Sequence, residues 1–460
     1  MHYTPITCEQ REAMLLAVGV TSVEDLFEDV PLEVRMSRPL DLPDPLTEME
    51  LADHLAALAA LNRPATGLVS FAGAGCYDHY IPSVVDHVVR RPEFFTAYTP
   101  YQPEVSQGTL QAIYEFQSMI CALTGMDVAN ASMYDGATAF VEAAMMACRV
   151  TRRHTVVCAD TVHPEWRATL DTYTAAGMVR VLYAPRDVDS GRVAVQGPGG
   201  VADLLAAGDV AAVLVQSPGY SGHLEDLAAL AGAAHDAGAL LVVGSNPILL
   251  GILEPPSAFG ADIVVGEGQP LGNPQSFGGP GLGFFACRTG HVRQMPGRLV
   301  GRTVDADGSP AFVLTLATRE QHIRREKATS NICSNHALNA LAAGVYLAAV
   351  GRSGLEGIAR SCVAKAHYMH GRLLATGRFA AVGTAPFGYE FTLTYDGDVA
   401  AMQAAMLERG YLAGVSMSVL EPHASGQESH RSVSNDVIFA VTERRTREQI
   451  DAFVREVEAL

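Results

Sequence analysis

Lysine is nearly missing from this sequence: of its 32 basic residues only Lys327 and Lys365 are lysines. Any chemistry that needs a lysine amine therefore has two candidates. Positive charge is short overall, with 50 acidic residues against those 32 and a formal net charge of −18. That balance, with no extended basic run, leaves no field to hold a polyphosphate backbone, so nucleic acid is not an expected partner. The eight cysteines, Cys8, Cys76, Cys121, Cys148, Cys158, Cys287, Cys333 and Cys362, include no C-x-x-C pair and no His/Cys spacing of a zinc site. We expect no metal, and read them as buried thiols of a reducing compartment. Long apolar runs are missing too. The most apolar stretch, Leu338 to Val350, is too short for a bilayer and carries Asn339 and Gly344. The N-terminus has no basic segment followed by an apolar one, so the expected protein is cytoplasmic and makes no membrane contact.

What is present is the composition of a packed globular chain: 460 residues, 48% hydrophobic and 18% charged. That length predicts two or three domains. Thr7 with Gln10, Thr21 with Glu24 and Thr47 with Glu50 each match a helix-capping box. The proline-dotted stretch from Pro31 to Pro45 has no periodicity and reads as a linker or an extended arm. From about 105 to 290 the pattern alternates. Helical spacing at Gln107–Leu123, Gly136–Val150 and Leu224–Ala237 is interleaved with short apolar runs at Thr155–Cys158, Val179–Tyr183, Ala211–Val215, Leu240–Val243 and Ile263–Val265. Such runs, bounded by Gly, Pro and Asp, predict buried parallel strands with crossover helices, a doubly wound α/β domain. Helices over about Ser334–Val350 and Leu355–Thr376 precede a smaller α/β pattern: a strand at Tyr389–Thr394, a helix at Val399–Arg409, a strand at Asp436–Val441 and a final helix capped by Thr446 and Gln449. The domain expectation is a helical arm and linker over 1–65, a large α/β domain over 66–333, and linking helices with a small C-terminal α/β domain over 334–460.

Five segments carry groups suited to a site. Gly266-Glu267-Gly268-Gln269 and Ser276-Phe277-Gly278-Gly279-Pro280 follow the last strand of the parallel pattern, where open sheets place ligands. They lack the order of a dinucleotide fingerprint and the lysine of a P-loop, and ligand-free glycine turns look the same. His163 stands just after a strand and can stack on a flat cofactor or simply cap a helix. Tyr98-Thr99-Pro100-Tyr101-Gln102-Pro103, leading to Gln107, presents hydroxyls and amides on a stiff backbone, for a site or for interface packing. Thr329-Ser330-Asn331 either binds a phosphate at a helix N-terminus or caps the helix beginning near Ser334.

The motifs Phe71-Ala72-Gly73-Ala74-Gly75-Cys76-Tyr77-Asp78-His79-Tyr80, Tyr98-Thr99-Pro100-Tyr101-Gln102-Pro103-Glu104-Val105-Ser106-Gln107, Ser276-Phe277-Gly278-Gly279-Pro280 and Ala328-Thr329-Ser330-Asn331-Ile332-Cys333 resemble the first subunit of two-chain glycine dehydrogenase (decarboxylating), the P protein of the glycine cleavage system. The resemblance runs from the N-terminal helices to about residue 440. It implies the α/β architecture of fold type I pyridoxal phosphate transferases, aspartate aminotransferase-like, with a large doubly wound, mostly parallel sheet. It also implies decarboxylation of glycine and transfer of the aminomethyl group to the lipoyl arm of the H protein.

In the cofactor-bearing sister chain an aspartate follows the strand matching Leu240–Val243 and a lysine follows the strand matching Asp262–Val265. Here those places read Gly244-Ser245-Asn246 and Gly268-Gln269-Pro270. The resemblance therefore implies a subunit that holds no covalent cofactor, is inactive alone, and works with a homologous chain that holds pyridoxal phosphate. No residue is assigned a catalytic role. Tyr98, Tyr101, Gln102, Gln107, Gly278, Gly279, Thr329, Ser330 and Asn331 are the expected groups near the substrate, cofactor or interface, and His163 is a possible relic of ring stacking. Two other readings stay open, a self-sufficient aminotransferase-like enzyme using Lys327 or Lys365, and a purely structural or regulatory partner.

Overall fold

The computed structural model describes residues 5–36, 38–420 and 435–460. The chain divides into two units, Met1–Arg63 and Pro64–Leu460.

In the first unit, α1 (Cys8–Val18) and α2 (Glu48–Ala59) both begin with the expected reciprocal caps. Thr7 Oγ1 accepts from Gln10 N at 3.2 Å while Gln10 Oε1 accepts from Thr7 N at 2.8 Å, and Thr47 and Glu50 repeat the pattern. The third expected box is absent. Asp25, not Glu24, collects the N–H groups of Thr21 and Ser22 at 3.0 and 2.8 Å, because its shorter carboxylate reaches back over one tight turn, and only a 3₁₀ segment, Glu24–Phe27, follows. No residue of α1 or α2 is buried.

The second unit is built on α3 (Gln107–Thr124), β1 (Val128–Ala129), α4 (Gly136–Thr151), β2 (Thr155–Ala159), α5 (Pro164–Thr174), β3 (Arg180–Ala184), β4 (Val210–Ser217), α6 (Leu227–Asp236), β5 (Leu240–Ser245), β6 (Ile263–Glu267) and β7 (Gly283–Cys287). These seven strands form one sheet in the order β1-β7-β6-β5-β4-β2-β3. All neighbours are parallel except at β7, which runs antiparallel to both β1 and β6. The centre of β4, Val210 to Val215, is buried on both faces, which is why its sequence reads as a continuous apolar run. Helix α4 packs against β4, β5, β6 and β7 and buries ten of its residues. Its start is fixed by Asp135, whose Oδ1 accepts from Thr138 N at 2.7 Å. The chain steps from β2 to β3 on one side and returns to β4 on the other, which leaves a crevice at the carboxyl ends of β2 and β4.

Beyond the sheet, β8 (Leu299–Val304) and β9 (Pro310–Thr315) pair as an antiparallel hairpin that the sequence reading did not contain. Helix α7 (Ala337–Ala375) holds the two helices expected there, which meet at a kink where Gly351, at φ 61°, leaves the helical conformation. It leads to β10 (Phe379–Ala381), β11 (Glu390–Tyr395), α8 (Val399–Glu408), β12 (Val415–Ser416), β13 (Asp436–Ala440) and α9 (Arg447–Glu458). The four strands form an antiparallel sheet in the order β10-β11-β13-β12. Thr446 and Gln449 cap α9 reciprocally, and Ile450, Phe453, Val454 and Val457 bury its inner face. No helix among the described residues is long and apolar enough to cross a membrane. All eight cysteines are unpaired; Cys8 and Cys333 are exposed, against the expectation of buried thiols, while Cys148, Cys158, Cys287 and Cys362 are buried.

Candidate functional site

The strands β4, β5 and β6 end at a crevice whose cavity measures about 40 Å³, with Gln216, Asn246, Glu267, Trp166, Tyr389 and Glu390 among its lining residues. By the space a buried water occupies, that volume holds about three waters. Glu390, on β11, is buried: its Oε1 accepts from Ala74 N at 2.6 Å and its Oε2 from the Tyr77 hydroxyl at 2.8 Å. Burial pushes its carboxyl up to about 7, with those two hydrogen bonds pulling the other way. Glu267, the last residue of β6, is also pushed upward by burial, against N–H groups from Leu282, Gly136 and Gln269. Tyr77 and Tyr389 stand edge to face with ring centres 5.1 Å apart, and burial raises both phenols well above their ordinary range. Neither lysine reaches the crevice. Lys327 is exposed, and Lys365 Nζ donates to the main-chain carbonyl of Glu443 at 2.6 Å.

These residues do not fit a pyridoxal phosphate. The ring nitrogen calls for a carboxylate, and Asn246 offers a neutral amide whose Oδ1 accepts from Ile248 N at 3.1 Å and whose Nδ2 donates to the Tyr389 hydroxyl at 2.6 Å. A phosphate dianion calls for cations or free donors, and the lining holds the buried carboxylate of Glu390, the half-buried carboxylate of Glu267 and no lysine, arginine or histidine among the described residues. His163 does not line the cavity. It caps α5, accepting from Glu165 N at 3.2 Å on Nδ1, while Nε2 lies 3.0 Å from the Ala74 carbonyl and the ring stands edge-on to Tyr220. Burial holds its imidazole below the ordinary value.

A second set of groups gathers around Arg298, which is 5% exposed. Its Nη2 donates to the Cys333 carbonyl at 2.7 Å and to the Tyr101 hydroxyl at 3.2 Å, and its guanidinium lies 5.5 Å from the centre of the Tyr101 ring. Its Nε lies 3.3 Å from Glu320 Oε2. The same seam continues through Cys333 N to the Tyr134 hydroxyl at 3.3 Å, from Tyr134 to the His336 ring at 5.6 Å, and from His336 Nδ1 to the Gly281 carbonyl at 2.7 Å. Three segments distant in sequence, around Tyr101, Cys333 and Gly281, are thereby stitched together.

Of the expected site residues, Tyr98 is 80% exposed and Tyr101 half exposed. Gln102 is exposed and precedes a short turn at Pro103–Val105. The Gln107 amide bridges the Pro103 carbonyl and both main-chain groups of Phe312 on β9. Gly278 and Gly279 follow Phe277, which is fully exposed and, with Ser276 and Gly278, holds positive φ. Thr329 and Ser330 are half-buried and Asn331 is exposed. Ser330 Oγ accepts from Ile332 N at 3.1 Å, and its hydroxyl also reaches the buried Glu142. Because α7 starts at Ala337, none of the three sits at its N-terminus, so the run does not cap that helix.

Sequence spacing missed Arg298, Glu320 and Glu390 altogether. It also missed a spatial cluster of His79, Cys362 and Glu443, whose ligand atoms lie within 4.8 Å of one another. Those groups satisfy each other, with Glu443 accepting from Tyr80 N at 2.6 Å and lying 2.7 Å from His79 Nδ1. Burial would raise the Glu443 carboxyl, but His79 and the Tyr80 N–H bring it down to about 2.

The family model described as glycine cleavage system P-protein matches residues 1–457. A Moorella thermoacetica protein bearing the name "Probable glycine dehydrogenase (decarboxylating) subunit 1" is 49% identical over 99% of this chain and 98% of its own. A Chlorobium limicola protein of the same name is 49% identical over 99% of each. Among solved structures, a glycine decarboxylase (P-protein) of the glycine cleavage system in inhibitor-bound form superposes with a TM-score of 0.87, at 44% identity over the whole of both chains. The Lactobacillus brevis glutamate decarboxylase, at 14% identity over 93% of this chain and 95% of its own, shares the fold with a TM-score of 0.66. The architecture is that of the fold type I pyridoxal phosphate enzymes.

Proposed function

The chain belongs to the glycine cleavage system P-protein family, and from that premise we propose that it is the subunit of a two-chain glycine dehydrogenase (decarboxylating) that does not anchor the cofactor. The observation that carries this reading is the chemistry of its crevice: two carboxylates, Glu267 and Glu390, an amide at Asn246, and neither of its lysines. The relatives' name, subunit 1, supports a second subunit. In this proposal that partner holds pyridoxal phosphate, which supplies the electron sink for decarboxylation, and the aminomethyl group passes to the lipoyl arm of the H protein.

This chain's contribution is positional. Arg298 orients the Tyr101 hydroxyl from below and fixes the Cys333 carbonyl. Tyr98, Tyr101 and Asn331 then offer exposed hydroxyl and amide groups that reach across an interface to the partner's phosphate or to the glycine carboxylate. Holding such groups ready before substrate arrives is the form of help that costs no reorganisation during the reaction. Reconstitution tests the proposal. The isolated chain with pyridoxal phosphate should not exchange labelled bicarbonate into glycine, and mixing it with the second subunit and H protein should restore exchange. Activity in the isolated chain would refute it. Unchanged exchange after substitutions throughout the Tyr98–Gln107 loop, with assembly intact, would reduce the chain to a structural partner.

A further inference from the structure

Three metal-ligating side chains from distant parts of the chain meet in the interior. His79 comes from the run before α3, Cys362 from α7 and Glu443 from the turn between β13 and α9, and their ligand atoms lie within 4.8 Å of one another. His79 is 6% exposed and Cys362 fully buried. Glu443 Oε2 is the centre of the group, 2.7 Å from His79 Nδ1 and accepting from Cys362 Sγ at 3.4 Å. His79 and Glu443 stand 364 positions apart in the sequence, and Cys362 and Glu443 stand 81 apart. The expectation of no metal rested on spacing within short motifs, which does not register ligands so far apart.

One nitrogen, one sulfur and one oxygen make a mixed donor set of the kind that zinc takes, and around a tetrahedral Zn²⁺ such donors sit about 3.3–3.7 Å from one another. The separation of Sγ and Oε2 already has that value, and the contact of His79 with Glu443 has to open by under about 1 Å. Small side-chain rotations cover that distance. Charge favours the exchange as well, because a Cys362 thiolate and the Glu443 carboxylate together cancel a buried dication. Binding expels the thiol proton of Cys362. His79 keeps its remaining ring proton on Nε2, which faces the Tyr389 hydroxyl at 3.5 Å as an outer-shell acceptor. The cation beside the group, Lys365, is turned to the main-chain carbonyl of Glu443 at 2.6 Å.

A second observation at the same place is independent of those contacts. Tyr346, also on α7, is fully buried, and its hydroxyl has no hydrogen-bond partner among the described residues. Burial raises its phenol, and the two groups that add to the effect are Glu443 and Cys362, so the orphan hydroxyl belongs to this cluster. A buried hydroxyl left unpaired is costly, and a water carried by an ion gives it a partner.

We infer that His79 Nδ1, Cys362 Sγ and Glu443 Oε2 form a zinc site of this chain, with a water as fourth ligand held by the Tyr346 hydroxyl. The ion clamps the run around His79 and the turn before α9 onto α7. It stands behind Tyr389, which lines the crevice and whose ring meets His79 edge-on with centres 5.5 Å apart. The site goes beyond the proposed function and does not depend on it.

Cobalt substitution tests the inference, because a thiolate bound to Co²⁺ gives a sulfur-to-metal charge-transfer band that carboxylates and imidazoles do not. The full chain, reduced and stripped with a chelator, should take up one Co²⁺ with that band, and added zinc should bleach it. Replacing Cys8 and Cys333, the two exposed cysteines, by serine should leave band and stoichiometry unchanged, whereas Cys362→Ala should abolish the band. Tyr346→Phe should keep the band and weaken the affinity about ten- to a hundredfold, as loss of an outer-shell partner does. Should Cys362→Ala not fold, Cys362→Ser, which changes one atom, takes its place with the same expected loss. Absence of the band in the wild type, its survival in the Cys362 variant, its loss with Cys8 and Cys333, or an unchanged affinity in Tyr346→Phe would overturn the inference.

Discussion

Replacing Arg298 by methionine removes the one buried cation that ties the Tyr101 segment to the run ending at Cys333. Methionine keeps most of the side-chain volume, so the cost comes from polar groups and not from a cavity. Two charge-assisted hydrogen bonds vanish, to the Cys333 carbonyl at 2.7 Å and the Tyr101 hydroxyl at 3.2 Å. Glu320, 7% exposed, is left with His322 Nδ1 3.6 Å away as its nearest basic group. The Arg298 Nε–H is not aligned for a hydrogen bond with Glu320, so charge is what holds that pair. Stranding one member of a buried ion pair costs about 3–5 kcal/mol. We expect Arg298→Met to lose that much in urea unfolding followed by the fluorescence of Trp166, the sole tryptophan. The double variant Arg298→Met/Glu320→Gln should recover a coupling energy of about 2 kcal/mol, because the stranded carboxylate has gone. A loss under about 1 kcal/mol, or a double variant equal to the sum of the singles, would refute the claim that this pair holds the loops together.

Three further outcomes follow from the same geometry. Tyr101→Phe removes only the hydroxyl that accepts from Arg298, worth about 1.5–3 kcal/mol, and should lower the rate of the assembled enzyme about ten- to a hundredfold. His163→Ala should leave that rate nearly unchanged while lowering stability by about 1 kcal/mol through loss of the α5 cap, so a large rate loss here with none at Tyr101 would invert the assignment. For Glu390 the folded carboxyl is raised from 4.5 to about 7, so stability present at low pH is lost as pH rises through that window, by up to about 3 kcal/mol. Glu390→Gln keeps groups able to bond Ala74 N and the Tyr77 hydroxyl, and should flatten the fall in melting temperature between pH 5 and 7; an unaltered slope would place the titration elsewhere.

The sheet was legible because its strands are buried on both faces and therefore read as apolar runs: Thr155–Cys158 and Leu240–Val243 lie within β2 and β5. The caps at Thr7, Thr47 and Thr446 were legible for a local reason, since both partners lie within three residues of each other. Thr21 failed on the same rule because Asp25 offered a competing carboxylate one residue further on. The hairpin of β8 and β9 was missed, since Leu299–Val304 begins buried and ends exposed and so keeps no single period. Arg298 and Glu320 gave no sequence signal, being one arginine among thirty and one acid in a charged stretch, paired only by folding. Glu267 stood in plain view between two glycines, but Gly136 and Leu282 come from other elements and gave no local sign of what it would bind.

The central claim, that this chain leaves the cofactor to its partner, is tested most directly by borohydride reduction of the reconstituted two-chain enzyme loaded with pyridoxal phosphate, followed by peptide mass spectrometry. The account predicts a stoichiometric phosphopyridoxyl adduct on a lysine of the second subunit and none on this chain; a stoichiometric adduct at Lys327 or Lys365 would contradict it.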